Sequence, residues 1–102
     1  MYARVTRFEG GTAAGLRRAT EEVEAARDQG PPPGVPAVGY TMLFDAGTGT
    51  SLGIALFETE DALHTGDAAL NEMSPSSPEA GHRVSVETFE VGADIRLLGA
   101  AS

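Results

Sequence analysis

The sequence contains no cysteine, lysine or tryptophan, and asparagine occurs once, at Asn71. Without cysteine the chain has no disulfide, thiolate metal ligand or thiol nucleophile. All seven basic residues are arginine, so Schiff-base chemistry through a lysine is excluded. The longest apolar run, Leu52 to Phe57, is far shorter than the roughly 20 residues of a membrane-spanning helix. These absences remove several classes of protein before any motif is considered.

Length and charge favour one acidic globular domain. The chain has 102 residues, of which 41% are hydrophobic, and 15 acidic residues against seven basic ones give a net charge of -8. An acidic surface repels phosphate backbones and anionic lipids, so we expect neither nucleic-acid nor membrane partners. The first residues, Met1 to Val5, have a strand-like pattern without the apolar core of a signal peptide. We therefore expect a cytoplasmic protein with a single domain over residues 1–102.

Hydrophobic periodicity and turn residues divide the chain into six elements. Apolar residues recur at helical spacing from Leu16 to Ala26, whereas the other apolar segments are short, rich in β-branched and aromatic residues, and bounded by glycine or proline. The predicted segments are a strand at 2–8, a helix from the cap Thr12 to Arg27, a Pro-rich loop at 31–37, strands at 38–44 and 50–57, a helix from the cap Thr59 to about Met73, a strand at 83–91 and a C-terminal tail at 93–102.

The order β-α-β-β-α-β predicts a ferredoxin-like α+β sandwich. In that arrangement a four-stranded antiparallel sheet carries both helices on one face. Turn residues between Asp45 and Gly49 predict that the second and third strands form a hairpin.

The bare face of such a sheet should be polar in a monomer, and here it is not. Leu52, Ile54 and Leu56 share one face of the third strand, and the opposite face carries Gly53, Ala55 and Phe57. Neither face of this strand carries a charge. A second copy stacked on the bare face would bury it, and such assemblies are usually two-fold. We therefore expect a homodimer.

Two segments of the sequence resemble antibiotic-biosynthesis-monooxygenase-like (ABM) domains. Phe57-Glu58-Thr59-Glu60-Asp61-Ala62-Leu63 resembles the Trp-Glu-Ser/Thr-Glu-x-Ala signature of that group, and Ser85 to Val91 is similar to its final strand. The initial strand and Gly39-Tyr40 also fit, so the resemblance covers nearly the whole chain. It implies a dimeric α+β barrel and oxidative chemistry, since characterised members include cofactor-free oxygenases of aromatic polyketides and haem-degrading oxygenases.

The resemblance also implies a substrate site. In the oxygenase subset an asparagine, a tryptophan and a tyrosine occupy positions that are Gly53, Phe57 and Leu63 here, so the polar groups are lost. Tyr40, an aromatic residue with a polar tip on a central strand, could donate a hydrogen bond to a ligand carbonyl or pack at the dimer interface. The predicted substrate-binding residues are Tyr40, Gly53, Phe57 and Leu63, with no catalytic residue assigned.

The remaining polar candidates favour structural roles. His64 lies about 160° from the apolar face of the second helix on a helical wheel of 100° per residue, so we expect it to face solvent. His82 has no neighbouring acid in sequence, and the two histidines lack metal-ligand spacing. Asp67 falls near the boundary of the apolar face. Arg4 and Arg7 lie on opposite faces of the first strand, one of them pairing with Glu87 or Glu90 or entering a pocket.

Three hypotheses follow. The first is a cofactor-independent, monooxygenase-like oxidoreductase or a related enzyme such as an isomerase that acts on a small aromatic or quinonoid compound, with no cofactor or metal. The alternative is a non-catalytic binder of a small apolar or aromatic ligand, or a structural dimer, that has lost the polar active-site residues of the family. The third, haem handling, requires a buried histidine on the second helix.

Overall fold

The computed structural model describes residues 1–74 and 77–97 and contains the predicted order of elements. Part of the predicted tail, including Leu98, lies outside the described residues, as do Pro75 and Ser76 beyond the second helix. The elements are β1 (Tyr2–Glu9), α1 (Ala13–Ala25), β2 (Gly39–Asp45), β3 (Thr50–Phe57), α2 (Glu60–Asn71) and β4 (His82–Glu90).

The four strands form one antiparallel sheet in the order β2-β3-β1-β4. The register pairs Arg4 with Ala55 and Met42 with Gly53, so these four side chains belong to one face. Thr20 of α1 reaches Met42, and α2 reaches Arg4 through Asp67. Both helices therefore cover the same face, which confirms the ferredoxin-like α+β sandwich.

Each helix begins at a threonine that caps it, as the sequence predicts. Thr12 and Thr59 have extended backbones, and their side-chain oxygens accept hydrogen bonds from the backbone N–H groups of Gly15 (2.9 Å) and Ala62 (3.1 Å). Such a cap satisfies one of the free N–H groups of the first turn.

Both helices end two residues before the predicted positions. The chain after α1 tightens into a 3-10 turn over Arg27–Gln29, and Gly30 then adopts a positive φ of 77°. A positive φ leaves the helical region and suits glycine, which lacks a Cβ. The α-helix ends at Ala25, not at Arg27, because the 3-10 turn replaces its last predicted residues, and α2 ends at Asn71, not at Met73.

The hydrophobic core lies between α2, the end of β3 and the Pro-rich loop. Its buried members are Val35, Ala55, Phe57 and Leu63. The loop is tied in place because Val35 N–H donates to the Pro32 carbonyl, and Val38 N–H donates to the Leu56 carbonyl at 2.8 Å. The Pro-rich loop is thus a part of the core and a connector at once.

The sheet face opposite the helices is apolar at its centre. Its side chains follow from the register, which places Leu52, Ile54 and Leu56 opposite Arg7, Val5 and Ala3. The three β3 residues are half-buried, and the outer strands add Leu43 and Phe89, of which about half is exposed. Within residues 1–74 and 77–97, no helix has the length and hydrophobicity needed to cross a membrane.

Candidate functional site

Two adjacent cavities lie between the helices and the sheet. The first has a volume of about 300 Å³ and is walled on one side by α1, and the second has about 170 Å³ and faces the end of α2. Phe8, Tyr40 and Gly53 line both of them. The larger volume is at the lower limit of the range of small-molecule sites, which is about 300 to 1,000 Å³. Together they form the candidate site.

Tyr40 and Gly53 are neighbours at the centre of this site. A Cβ built on Gly53 would overlap the Tyr40 hydroxyl, and it would lie 3.2 Å from the ring carbon that bears that hydroxyl. The absence of a side chain at position 53 therefore makes room for the phenol. Although about half of Tyr40 is exposed, its hydroxyl points inward, toward the sheet.

Burial and a nearby cation act in opposite directions on the Tyr40 hydroxyl. Burial raises the pKa of this phenol above its ordinary value, and the positive charge of Arg4 offsets part of that rise. The hydroxyl consequently keeps its proton at neutral pH and can donate it in a hydrogen bond.

Arg4 is the buried charge of the site, with a side chain only 5% exposed. Three of its N–H groups are held: Nε donates to Asp67 at 2.8 Å, one terminal nitrogen to the Thr6 hydroxyl at 2.8 Å, and the other to the Asn71 side-chain oxygen at 2.9 Å. Since Thr6 is on the same strand and Asp67 and Asn71 are one turn apart on α2, the guanidinium is fixed between sheet and helix.

Sequence reasoning missed this network. The sequence predicts that Arg4 or Arg7 either pairs with Glu87 or Glu90 of the last strand or enters a pocket. Arg4 lines the second cavity and pairs with Asp67, and Arg7 pairs with Glu9 at 2.9 Å. The i, i+4 spacing of Asp67 and Asn71 was the available signal, because it places both side chains on one stripe of α2. Without the crossing of α2 over β1, that stripe could not be matched to Arg4.

Phe57 and Leu63 lie beside the site, in the hydrophobic core, and neither lines the two cavities. Phe57 is fully buried, and α2 approaches it closely because Gly66 has no side chain. A Cβ at position 66 would overlap the Phe57 ring. The resemblance predicts Gly53, Phe57 and Leu63 as substrate-binding residues, and Tyr40 is predicted from its polar tip; the structure brings Tyr40 and Gly53 to the two cavities, but not Phe57 or Leu63. Close packing against α2 fills the space around the other two.

Both histidines are exposed, His64 on α2 and His82 at the start of β4. Across residues 1–74 and 77–97, no three of the His, Asp and Glu side chains form a group that could hold a metal ion. Arg83, next to His82 in sequence, lines the second cavity and donates hydrogen bonds to the backbone carbonyls of Leu70 and Asn71 at 3.3 and 3.1 Å.

Comparison with known proteins supports the fold assignment. The chain matches no protein-family profile and no curated protein. It is similar to the crystal structure of a candidate antibiotic biosynthesis monooxygenase from Deinococcus radiodurans, with a TM-score of 0.54 and 17% sequence identity over 97% of this chain and 100% of the other. The chain therefore has the fold of an ABM domain, as the sequence motifs at Phe57–Leu63 and Ser85–Val91 predict.

Proposed function

We propose that the protein is an ABM-like enzyme that binds a small aromatic or quinonoid compound between α1 and the sheet and oxidises it with molecular oxygen, without a cofactor. The observation that carries the proposal is the Tyr40 hydroxyl, which lies inside a cavity of about 300 Å³ at the place a side chain of residue 53 would occupy. The similar structure from Deinococcus radiodurans supports an oxygenase of this fold class.

The required chemistry is within reach of these residues. The methylene of an anthrone lies across the central ring from the carbonyl and is conjugated to it, so it can lose a proton to water with the negative charge delocalised onto the carbonyl oxygen, and the carbanion can react with oxygen directly. One oxygen atom becomes the new quinone carbonyl and the other leaves as water, so the four electrons lost by the carbon reduce one oxygen molecule completely. The Tyr40 O–H would hold the substrate oxygen as negative charge develops on it, which lowers the barrier to enolisation.

Oxygen uptake with a tricyclic anthrone tests the proposal directly. We expect uptake by the purified protein well above that of a heat-denatured control, with quinone formed and no cofactor added. Tyr40→Phe should lower the rate about 10- to 100-fold, because it removes one donor to the developing oxyanion. Unchanged turnover in Tyr40→Phe would remove Tyr40 from the mechanism, and uptake no greater than the control would argue against the oxygenase.

A second candidate function is a non-catalytic binder of an aromatic ligand. It is favoured by a specific observation: Gly53, Phe57 and Leu63 lack the polar groups found at the corresponding positions of the oxygenase subset. This alternative predicts that an aromatic compound binds to the cavities and is recovered unchanged. Conversion of any bound compound would contradict it.

We also propose that two copies associate through the bare face of the sheet. Its central strand exposes Leu52, Ile54 and Leu56 to a surface without helices. Apolar surface of this kind is a typical interface. Sedimentation should find a dimer in the native protein and a monomer for Ile54→Lys, with the exposed helix variant Ala68→Lys as the matched control. A monomeric native protein would contradict this assembly.

A further inference from the structure

The two cavities differ in charge although they share Phe8, Tyr40 and Gly53. The first is lined mainly by apolar side chains of α1 and the sheet, with Glu22 at its edge. The second is lined by Arg4 and Arg83 and by no acidic residue. The chain has a net charge of -8 and only seven arginines. The positive charge around the second cavity is therefore opposite in sign to the net charge of the protein.

Only one of the two arginines has its charge balanced by a contacting carboxylate. Arg4 forms an ion pair with Asp67, which lies behind it on α2. The hydrogen bonds of Arg83 go to the carbonyls of Leu70 and Asn71, which have no formal charge, and it makes no ion pair with a carboxylate of residues 1–74 or 77–97. Arg83, an exposed residue at the edge of the second cavity, therefore supplies a positive charge that no carboxylate of the described residues contacts.

Hydrogen-bond donors remain available around this cavity. A guanidinium has five N–H groups, and the three described acceptors of Arg4 leave two of them unused. The Tyr40 O–H lies at the boundary between the two cavities and is a further donor. Because Asp67, Asn71 and Thr6 hold Arg4 in place, little reorganisation is required when a negative group enters.

We infer that the second cavity is an oxyanion site, which takes the ionised oxygen of an aromatic ligand whose ring lies in the first cavity. Phenolates, enolates of aromatic cyclic ketones and aromatic carboxylates share this chemistry. The inference deepens the proposed function, on which it rests, by defining the substrate class as acidic aromatic compounds bound as anions. Arg4, Arg83 and Tyr40 recognise the charged oxygen.

The test measures binding of 4-nitrophenol, which absorbs visible light only as the phenolate. The probe is titrated with base in the presence and absence of excess protein at constant ionic strength. An oxyanion site binds the phenolate in preference to the neutral phenol, and a tenfold preference lowers the apparent pKa of the probe by one unit. We expect a preference of about tenfold or more for the native protein.

Arginine variants locate the effect. Arg83→Gln should reduce the preference for the phenolate about three- to tenfold, because it removes the uncompensated charge but leaves the buried network of Arg4 in place. Arg17→Gln is the matched control, since it removes the same charge from an exposed position of α1 that lines neither cavity, and it should leave the preference unchanged. Tyr40→Phe should weaken binding of both forms of the probe.

The outcomes separate this inference from the oxygenase proposal. Phenolate preference without oxygen uptake supports the oxyanion site in a non-catalytic binder. Oxygen uptake from an anthrone without a preference for the phenolate supports the enzyme and overturns the oxyanion site. The oxyanion site is also overturned if the native protein binds both forms of the probe equally or binds neither form. An equal effect of Arg83→Gln and Arg17→Gln overturns it as well. Displacement of the probe by benzoate extends the site to carboxylates, and its absence restricts the site to phenolates and enolates.

Discussion

The layer between the helices and the sheet is built differently at its two ends, although both ends use the same strand, β3. At the Phe57 end, defined by Val35, Phe57 and Leu63, buried side chains are in contact and Gly66 lets α2 approach the Phe57 ring. At the Gly53 end, defined by Phe8, Tyr40 and Gly53, a glycine on the same face of β3 instead leaves space for a phenol and two cavities.

The missing side chain of a glycine can permit close packing or leave a cavity, depending on which neighbouring group occupies the space. The Phe57 ring of the core fills the space next to Gly66, and this packing stabilises the fold. Only the Tyr40 hydroxyl enters the space that a side chain at position 53 would fill, so a polar hydrogen-bond donor lies in a mainly apolar cavity. The packing at the Phe57 end stabilises the fold, and the Gly53 end is the proposed ligand site.

The largest expected effect separates the two assignments. Phe57→Ala should lower the free energy of unfolding by about 3–5 kcal/mol, the usual cost of removing a buried phenyl ring. Urea unfolding measures the loss, and Phe57→Leu should give a smaller one. In protein that remains folded, 4-nitrophenolate should bind within about threefold of its native affinity. A marked loss of binding in folded Phe57→Leu would place Phe57 in the ligand site.

Arg4 joins the two functions, because it holds α2 to the sheet and lines the second cavity. Arg4→Met should lower the free energy of unfolding by about 2 kcal/mol, since Asp67, about a third exposed, loses its partner. The control is Arg7→Met on the same strand: both members of its ion pair are about half exposed, so we expect a loss below about 1 kcal/mol. Equal losses in the two variants would refute a structural role of the Arg4 network.

Arg4→Met combined with Asp67→Leu sharpens this test. Removing both members of an ion pair avoids the unpaired buried charge, so the double variant should recover part of the stability lost in Arg4→Met. Further destabilisation by Asp67→Leu would indicate that Asp67 stabilises the fold independently of Arg4.

The smallest effect concerns the fit of Tyr40 over Gly53. Gly53→Ala should cost about 1 kcal/mol in the native protein, because the new methyl group overlaps the phenol oxygen. In a Tyr40→Phe background the oxygen is gone, and the same substitution should be neutral or slightly stabilising, since alanine is less flexible than glycine in the unfolded chain. A double-mutant cycle of urea unfolding measures this coupling, and identical effects in the two backgrounds would contradict the proposed fit.

The fold was predictable from the sequence because its signals are local. Thr12 and Thr59 mark the helix starts, Gly30 and the prolines after it end α1, and alternation along Thr50 to Phe57 defines β3 with its observed bounds. The short motifs at residues 57–63 and 85–91 point to the same architecture, which the similar structure from Deinococcus radiodurans supports. Each of these features depends on residues close in sequence.

The site was predictable only in part, because its contacts are long-range. The sequence predicts Tyr40 on a central strand, which is wrong, because β2 lies at the edge of the sheet. The ion pair of Arg4 joins residues 63 positions apart, so no local pattern indicates it. The positions of Phe57 and Leu63 depend on how closely α2 approaches the sheet. That distance is set by Gly66, whose importance no pattern in the sequence indicates.

The most direct test of the central claim is a crystal structure of the protein with 4-nitrophenolate. The account predicts the ring in the first cavity, between α1 and β2, with its ionised oxygen within hydrogen-bond distance of the Tyr40 hydroxyl and of the Arg4 or Arg83 guanidinium. Electron density for the probe on the bare face of the sheet, or cavities that stay empty at a saturating concentration, would contradict it.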